Sequence, residues 1–381
     1  MTARLRGPSP AHPTIALNCR FLEKETRGIG RYAQGLAAAL RRSRPGDVEC
    51  LVSGLVAPHL EGAARLLNAR RVTPLTGPVW EQTTLPAHLL THGRPLLVNF
   101  VNTAPLLYRR QVTVVYDLAY RRHPEMYSAA FLALYRAVIP RVVRRARIVT
   151  ISEFVKSELV AMGAPEDRVA VVPSFVAPEL LALAAAEPPP SGEGDRYALI
   201  VGSLNARKNL RAALEAIRAA AVSGLRVVVV GESATVFRAL ELDGAVDERV
   251  SFAGAVNDAE LVRLYTGAHF LLFPSLYEGF GMPPIEAMAC GCPVIASSAA
   301  SMPEVCGDAA YYCDPTSVAD MARAIARVAG DAELRERLRA RGRARAGRFT
   351  LERSAALFER TIEHALAAPS AGPSVMAQGV R

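Results

Sequence analysis

Two glutamates eight positions apart form a pair that could bind and process a charged ligand. Glu278 and Glu286 lie in the stretch FPSLYEGFGMPPIEAMACGCP, which begins as the apolar run HFLLF ends. Its glycines and proline pair predict a strand, a loop and a short helix that begins at Pro284. Because eight helical residues span about 12 Å, we expect Glu278 in the loop and Glu286 in the first helical turn, both facing one ligand. A helix start also favours phosphate, whereas the alternative is a capping glutamate beside a solvated one.

Two adjacent cations predict a second part of the same site. Arg207 and Lys208 follow the apolar run Ala198–Gly202 by a short loop and precede a helical pattern near Asn209. Cations oppose the positive end of the helix dipole, so the position is electrostatically poor unless an anion binds there. Such a pair could neutralise a leaving diphosphate. The alternative is a basic helix start without function.

The elements that must position these residues are short apolar strands alternating with amphipathic helices. Continuous apolar runs of this length are typical of strands buried on both faces of a parallel sheet. Strand–helix–strand repetition on both sides of Pro173–Arg196 predicts two doubly wound α/β domains, with ligands at the carboxyl ends of the strands. The predicted strands are Thr14–Asn18, Glu49–Ser53, Leu96–Asn99, Thr113–Tyr116, Ile148–Ile151, Val169–Val172, Tyr197–Gly202, Leu225–Gly231, Val250–Ala253, Phe270–Phe273, Val294–Ala296 and Ala310–Cys313. The predicted helices are Gly30–Arg42, Asn209–Val222, Asp258–Gly267, Pro284–Ala289, Thr316–Ala329 and Leu351–Ala367.

The composition excludes several classes of protein. Hydrophobic residues make up 51% of the 381 residues, but no apolar run is long enough to span a membrane, and the polar N-terminus has no signal-like apolar region. The six cysteines are too few for a disulfide scaffold, so we expect buried thiols in a reducing cytosol. No Asp-x-Asp pair or His/Asp/Glu cluster predicts a metal site. No Gly-x-x-x-x-Gly-Lys-Ser/Thr loop or Gly-x-Ser-x-Gly turn is present.

Positive charge is concentrated before the predicted domain boundary. Residues 1–185 carry 24 basic and 13 acidic residues, a balance of +11, whereas residues 186–381 carry 21 and 23, a balance of −2. This asymmetry predicts an anionic partner for the first half. No motif supports nucleic acid, so no nucleic-acid partner is expected. An arginine-rich genome is the alternative explanation, since only Lys24, Lys156 and Lys208 are lysines.

The stretch EGFGMPPIEAMACGCPVIA resembles the E-x7-E signature of retaining glycosyltransferases of family 4, which have the GT-B fold. The resemblance extends over nearly the whole chain. Further similar segments are Tyr197–Leu210, the Pro303-Glu304-Val305 and Gly307–Tyr311 region, Arg27–Tyr32, Val114–Pro124 and Thr150–Leu159. The resemblance implies an N-terminal domain at 1–185, a linker at 186–196 and a nucleotide-sugar domain at 197–350. A helix at 351–367 would cross back to the N-terminal domain, and a disordered tail is expected at 368–381.

The resemblance assigns roles residue by residue. Lys208 and Arg207 would stabilise the departing diphosphate, Glu286 would hold the ribose, and Glu278 would hold the sugar and stabilise an oxocarbenium-like transition state. Asp117, at a strand end, would bind a sugar hydroxyl or position a neighbour. The other donor-binding candidates are Gly28, Gly30, Ser203, Gly254, Val256, Gly279, Phe280, Gly281, Met282 and Pro283. This chain departs from many relatives at two positions, since it has Ser203 where they have arginine and Tyr116 where they have histidine. For two of the candidate pairs a purely structural role is the alternative. Gly28 and Gly30 could form only a turn, and Gly254 and Val256 could form only a turn before Asp258.

The implied substrate is a nucleotide diphosphate sugar, with no cofactor or metal. The segments RGIGRYAQGL, WEQ, LVNFVNTAPL and YDLAYRRHPE resemble bacterial mannosyltransferases of surface-polysaccharide assembly, which implies GDP-mannose as donor. The acceptor would be a glycan or a polyprenyl-diphosphate-linked glycan, reached from the cytoplasm by peripheral binding to the anionic inner leaflet.

Four alternatives stay open. The first is a UDP- or dTDP-sugar enzyme with a soluble acceptor, and the second is a GT-B epimerase or polymer synthase. The third is a non-catalytic two-domain sugar-binding protein. The fourth, a nicotinamide oxidoreductase, is disfavoured because Gly28-x-Gly30 is followed by Tyr32 and Ala33 rather than by a third glycine.

Overall fold

A computed structural model describes residues 13–24, 27–187, 196–202, 205–231 and 247–367. Within these ranges the chain forms two parallel β-sheets, each covered by helices, as two doubly wound domains. The fold class predicted from the sequence, α/β with two doubly wound Rossmann-like domains, is confirmed. The sheets lie on either side of residues 188–195, which are outside the described ranges, as is the predicted tail 368–381.

The first sheet has seven strands in the order β3-β2-β1-β4-β5-β6-β7, and all its pairs are parallel. Its central strands are buried along their whole length, as expected for a sheet covered on both faces. The strands are β1 (Ile15–Asn18), β2 (Val48–Val52), β3 (Arg70–Arg71), β4 (Leu96–Asn99), β5 (Gln111–Val115), β6 (Arg147–Thr150) and β7 (Val169–Val171).

Eight α-helices lie in the described part of the chain before residue 188, and two of them begin at serine caps. The hydroxyl of Ser128 accepts from the Phe131 amide at 3.3 Å, and that of Ser152 accepts from the Val155 amide at 3.2 Å. The helices are α1 (Arg27–Ser43), α2 (Glu61–Leu66), α3 (Gly77–Gln82), α4 (Thr84–Thr91), α5 (Ala119–Arg122), α6 (Ala129–Arg145), α7 (Glu153–Ala161) and α8 (Pro178–Ala186).

The second sheet has six parallel strands in the order β10-β9-β8-β11-β12-β13. Its strands are β8 (Tyr197–Val201), β9 (Arg226–Val230), β10 (Val250–Gly254), β11 (Phe270–Phe273), β12 (Val294–Ser297) and β13 (Ala310–Cys313). The remaining helices of the described chain are α9 (Leu210–Ala220), α10 (Asp258–Gly267), α11 (Met282–Ala289), α12 (Met302–Cys306), α13 (Val318–Gly330), α14 (Ala332–Ala346) and α15 (Leu351–Ala367).

The last helix, α15, packs against the first sheet rather than the second. The Phe358 ring lies 5.7 Å from the Phe100 ring, and the Ser354 hydroxyl donates to the Pro173 carbonyl at 2.8 Å. Arg44 at the end of α1 pairs with Glu363 at 2.8 Å. These contacts attach the end of the described chain to its first domain.

Candidate active site

A buried carboxylate between two cations forms the centre of the site. Glu278 is 7% exposed. One carboxylate oxygen lies 2.7 Å from Lys208 Nζ, and the other lies 3.2 Å from Arg207 Nη1. Arg207 Nη1 also donates to the Tyr277 carbonyl at 2.8 Å. The structure therefore brings together three residues from two distant segments that sequence analysis selected independently.

The two cations lie on a single 3₁₀ turn, Ala206–Lys208, between β8 and α9. Asn209 ends this turn in the left-handed region at φ 58°, and its side-chain amide donates to the carbonyls of Pro315 at 2.6 Å and Pro274 at 3.3 Å. Asparagine tolerates this conformation better than most residues. As a result α9 begins at Leu210, and the turn holds Arg207 and Lys208 outside the helix.

Close packing fixes the direction of the Lys208 side chain. Its Nζ lies 4.6 Å from the centre of the Phe273 ring. Gly202 has φ 147°, and a Cβ at that position would lie 3.1 Å from Lys208 Cε. Glycine at 202 thus leaves room for the lysine. Ser203, a predicted donor-binding residue, lies outside the described residues.

Electrostatics keep the Glu278 carboxylate ionised. Burial by itself would raise its pKa, but the charges of Lys208 and Arg207 outweigh burial and hold the pKa below its usual value. Burial lowers the pKa of Lys208, while Glu278 acts in the opposite direction. An anionic ligand with two negative charges could take over the role of Glu278 toward both cations.

The second glutamate of the motif is buried among different partners. Glu286 is 8% exposed and accepts a hydrogen bond from the Tyr265 hydroxyl at 3.2 Å. Burial raises its pKa, and the positive charge of Arg31, on α1, acts against that rise. Arg31 also pairs with Asp258 at the start of α10. The charges around Glu286 therefore come from both domains.

The helix that carries Glu286 begins earlier than predicted. It starts at Met282, two residues before Pro284, so Glu286 is its fifth residue and lies beyond the first turn. Pro283 and Pro284 have no N–H group, so this helix start offers fewer amide donors to a phosphate than the sequence argument assumed. The phosphate interaction must therefore rely on Arg207 and Lys208 more than on α11.

The loop between the two glutamates requires glycine at two positions. A Cβ on Gly279 would lie 2.1 Å from the Tyr116 carbonyl oxygen of the first domain. Gly281 has φ 98°, and a Cβ there would lie 2.3 Å from Met302 Cε. The Ser152 hydroxyl donates to the Gly279 carbonyl at 2.7 Å. The loop is thus docked on the first domain at the carboxyl ends of its strands.

The neighbouring predicted donor-binding residues pack around this loop. Phe280 meets Phe349 edge-on at 5.3 Å, and Met282 faces Gly28, where an added Cβ would lie 3.6 Å from Met282 Cγ. Gly28 and Gly30 were expected in a loop before a helix that begins at Gly30. The helix α1 begins instead at Arg27, so both glycines lie in its first turn.

Asp117 approaches the site from the first domain. It follows β5 and accepts from the Ala119 amide at 3.0 Å. Burial raises its pKa, Arg207 lowers it and Glu278 raises it again. Asp117 therefore shares the electrostatic environment of the central cluster.

Tyr116, which stands where many relatives have histidine, points away from the cleft. Its hydroxyl donates to the Phe100 carbonyl at 3.0 Å, and its ring packs edge-on against Tyr32 at 5.6 Å. The side chain is 4% exposed. Its contribution to the site is the backbone carbonyl that faces Gly279.

The structure shows no contact between the central cluster and the predicted pair Gly254 and Val256, both of which lie in the described range 247–367. Gly254 ends β10 at φ 67° with open space around its Cβ position, and Val256 packs against the hydrophobic core. Their part in donor binding stays a prediction.

Sequence analysis missed several residues that hold the site together. The Ser301 hydroxyl donates to the Glu278 carbonyl at 2.9 Å. The Tyr277 hydroxyl donates to Glu158 at 2.6 Å and accepts from the Leu118 amide at 3.0 Å. Tyr277 adjoins the motif and Glu158 lies in the similar segment Thr150–Leu159, so both had an available signal, but nothing local marks Ser301 or Tyr265.

Two further features concern the residues that the structure describes, 13–24, 27–187, 196–202, 205–231 and 247–367. Within them, no three His, Cys, Asp or Glu side chains lie close enough to hold a metal ion. Among the helices described, none combines the length and the apolar character needed to cross a bilayer.

Comparison with known proteins gives a family match and several sequence relatives. A model of the family described as "Glycosyl transferases group 1" matches residues 184–345. The O-antigen chain mannosyltransferase B of Escherichia coli is 30% identical over 262 residues, which cover 64% of this chain and 67% of the relative. The O-antigen chain mannosyltransferase RfbU of Salmonella typhimurium is 26% identical over 320 residues, which cover 79% and 87%.

Among solved structures, the chain is similar to WaaG, described as a glycosyltransferase involved in lipopolysaccharide biosynthesis. The TM-score is 0.69 at 18% identity, with 93% of this chain and 100% of the other covered. The arrangement of two parallel-sheet domains is the GT-B fold, as the sequence resemblance predicted.

Proposed function

The chain belongs to the glycosyl transferases of group 1, and we propose that it transfers mannose from GDP-mannose, with retention of the anomeric configuration, during assembly of a bacterial surface polysaccharide. Within the classification by sequence families we place it in family 4. The names of the two relatives, both O-antigen mannosyltransferases, support this choice of sugar and pathway class.

The observation that carries the proposal is the contact of Lys208 and Arg207 with Glu278 at the edge where the two domains meet. A leaving nucleoside diphosphate needs fixed positive charge, and two preorganised cations in a buried site can supply it without a metal ion. We propose that the diphosphate binds these cations. Glu278 then contacts the sugar and stabilises its positive charge as the bond to the diphosphate breaks.

The remaining site residues have supporting roles in this proposal. Glu286, held by the Tyr265 hydroxyl, accepts from the ribose hydroxyls of the donor. Asp117 contacts a sugar hydroxyl from the first domain. No cofactor and no metal take part.

We also propose where the reaction takes place. The first domain binds the acceptor, a glycan or a polyprenyl-diphosphate-linked glycan, at the inner face of the cytoplasmic membrane. Four arginines on the outer side of α6, Arg136, Arg141, Arg144 and Arg145, are exposed and could face anionic lipid.

A donor panel tests the proposal. The purified protein is incubated with GDP-mannose, UDP-glucose or dTDP-rhamnose, with and without manno-oligosaccharides, and nucleoside diphosphate release and new glycosidic bonds are measured in EDTA and in Mg²⁺. We expect GDP release that depends on GDP-mannose, survives EDTA and yields an α-linked product. Turnover of only a UDP- or dTDP-sugar would overturn the choice of donor, a β-linked product would overturn retention, and activity restored only by Mg²⁺ would overturn metal independence.

A further inference from the structure

Three aromatic rings form a continuous stack beside the site, on and just before α6. Phe131 and Tyr135 are four residues apart on one face of the helix, and Tyr127 lies just before its Ser128 cap. The rings of Tyr127 and Phe131 are 4.8 Å apart at 10°, and those of Phe131 and Tyr135 are 3.8 Å apart at 26°. We call this set the aromatic stack; all three side chains are half-buried.

The Tyr135 end of the stack packs against a further ring, whereas the Tyr127 end is half-buried and has no second ring paired with it in the described residues. Tyr120, which is 3% exposed, meets Tyr135 edge-on at 5.6 Å, and the inner edges of all three rings pack on the core beneath α6. Phe131 therefore has a ring on each of its faces. Tyr127 is half-buried and stacks on Phe131, and within the described residues no second ring is paired with it.

Tyr127 is also the member of the stack that follows the turn beside the central cluster, since the His123 ring lies 6.2 Å from the ring of Tyr277, the residue before Glu278. Burial raises the pKa of the Tyr127 phenol, and the charges of Asp117, Arg207 and Glu278 all act on it. The core cluster on which Tyr127 packs includes Leu118, which follows Asp117 and whose amide donates to the Tyr277 hydroxyl at 3.0 Å, so the ring adjoins the segment that carries Glu278. Tyr127 belongs to the first domain, across the cleft from the cations that would hold the donor.

We propose that Tyr127 is the platform on which the acceptor sugar ring rests, and that Phe131 and Tyr135 hold this platform in position. The inference rests on the proposed function, and it specifies that the acceptor presents a pyranose ring rather than a lipid chain to the site. The apolar C–H face of a pyranose packs on the flat face of an aromatic ring, and the phenol hydroxyl can bond to a sugar hydroxyl at the rim. A sugar there would have its free hydroxyls directed toward Asp117 and the donor site.

A set of matched substitutions tests the platform. Tyr127→Leu removes the flat face, Tyr127→Phe keeps the face but removes the hydroxyl, and Phe131→Leu removes the support beneath it. Tyr311→Leu is the control, because Tyr311 is another half-buried tyrosine at the edge of a core cluster, in the second domain. KM for α-mannotriose and KM for the nucleotide sugar are measured for each variant.

We expect Tyr127→Leu to raise the acceptor KM about tenfold or more, the usual range for loss of one stacked ring, while the donor KM changes less than about twofold. Tyr127→Phe should recover most of the acceptor affinity, Phe131→Leu should lie between the two, and Tyr311→Leu should match the wild type. Equal effects of Tyr127→Leu and Tyr311→Leu on the acceptor KM, in a wild type that transfers sugar, would overturn the platform. Absence of transfer by the wild type from any nucleotide sugar would instead overturn the proposed function.

Direct binding provides the second measurement. With GDP present, aromatic protons of the protein are saturated and the transfer of saturation to methyl α-mannoside, α-mannotriose and farnesyl diphosphate is recorded by NMR. Transfer to the pyranosides that disappears in Tyr127→Leu supports the platform. Transfer only to the farnesyl chain would assign the ring to a lipid, and no transfer to any probe would also overturn the inference.

Discussion

Lys208 is the residue whose role can be tested most simply. It is the ion-pair partner of Glu278 at 2.7 Å, and burial lowers its pKa. If it stabilises the departing diphosphate, Lys208→Ala should reduce kcat/KM by about 10²–10³, because a charge that acts in the transition state is lost. Steady-state rates with the nucleotide sugar measure this effect.

Lys156→Ala is the matched control for that substitution. Lys156 is one of only three lysines, and it makes a longer contact of 3.7 Å with Glu166 on the surface of the first domain. Its removal should leave the rate unchanged. If both variants lose activity to the same degree while circular dichroism shows a native fold, Lys208 has no special part in the reaction.

The buried carboxyl of Glu286 should make the free energy of unfolding depend on pH. Its pKa is raised by burial, so the folded state binds its proton more tightly than the unfolded state does. The free energy of unfolding of the wild type therefore falls as the pH rises from the unfolded pKa through the folded one. Glu286→Gln removes this dependence. In urea denaturation, the free energy of unfolding of the variant relative to that of the wild type should therefore be higher at about pH 8 than at about pH 5.

The same substitution should weaken nucleotide binding. Because the ribose hydroxyls lose their charged acceptor, the dissociation constant of the nucleoside diphosphate should rise about tenfold or more. Glu333→Gln, at an exposed position of α14, is the control for both measurements. An unchanged nucleotide affinity in Glu286→Gln would remove Glu286 from the donor site, whatever its effect on stability.

At the scale of elements, the twelve predicted strands are all present, with limits within about two residues. Most were predictable because they are short apolar runs, and strands such as β1, β4, β5, β11 and β12 are buried on both faces. The edge strand Arg70–Arg71 was missed because both its residues are exposed, so it has no apolar signal. Helix α14 was missed because AELRERLRARGRARA is mostly charged and buries only Leu338, Gly342 and Ala346.

The candidate site could be predicted only in part, for a related physical reason. The two glutamates and the two cations lie in short segments whose residue types are unfavourable for a purely structural role. Each could therefore be recognised from its own stretch of sequence. Arg31 and Tyr265 act through contacts between elements distant in sequence, such as the 3.2 Å bond from Tyr265 to Glu286. No spacing rule within one element reports such contacts.

The docking of the glutamate loop on the first domain gives a prediction about one glycine. In Gly279→Ala the new Cβ would collide with the Tyr116 carbonyl, so the two domains should move apart at this point. Overpacking of this kind costs about 1–3 kcal/mol, and because the docked arrangement is the one expected to react, transfer should fall by about 5–150-fold. We expect the affinity for the nucleoside diphosphate to persist, since its proposed site lies mainly in the second domain.

Gly330→Ala provides the comparison, because Gly330 ends α13 with nothing within 4 Å of its Cβ position. That variant should transfer sugar like the wild type. Small-angle X-ray scattering with and without GDP should show a larger radius of gyration for Gly279→Ala. If Gly279→Ala transfers sugar at the wild-type rate, the docked loop is not required for the reaction.

At the scale of the whole molecule, the charge asymmetry suggests an orientation at a membrane. The first half of the chain carries a balance of +11 against −2 for the second, and α6 ends in the exposed arginines Arg141, Arg144 and Arg145. Each basic residue near an anionic surface contributes about 1 kcal/mol. Replacing all three by glutamine should therefore lower the partition coefficient onto anionic vesicles by about 10²-fold, as measured by co-sedimentation at low salt.

The control removes the same charge from the other domain. Arg323, Arg327 and Arg337 are exposed, and each pairs with an acid of its own or the adjoining helix at 2.7–3.0 Å, so their triple replacement by glutamine should leave vesicle binding nearly unchanged. Dissolved ions screen charge interactions beyond about 10 Å at moderate ionic strength, so binding of the wild type should also fall as salt is added. Equal losses in the two triple variants would mean that net charge alone drives adsorption. Equal binding of the wild type to neutral and anionic vesicles would overturn the electrostatic orientation and favour a soluble acceptor.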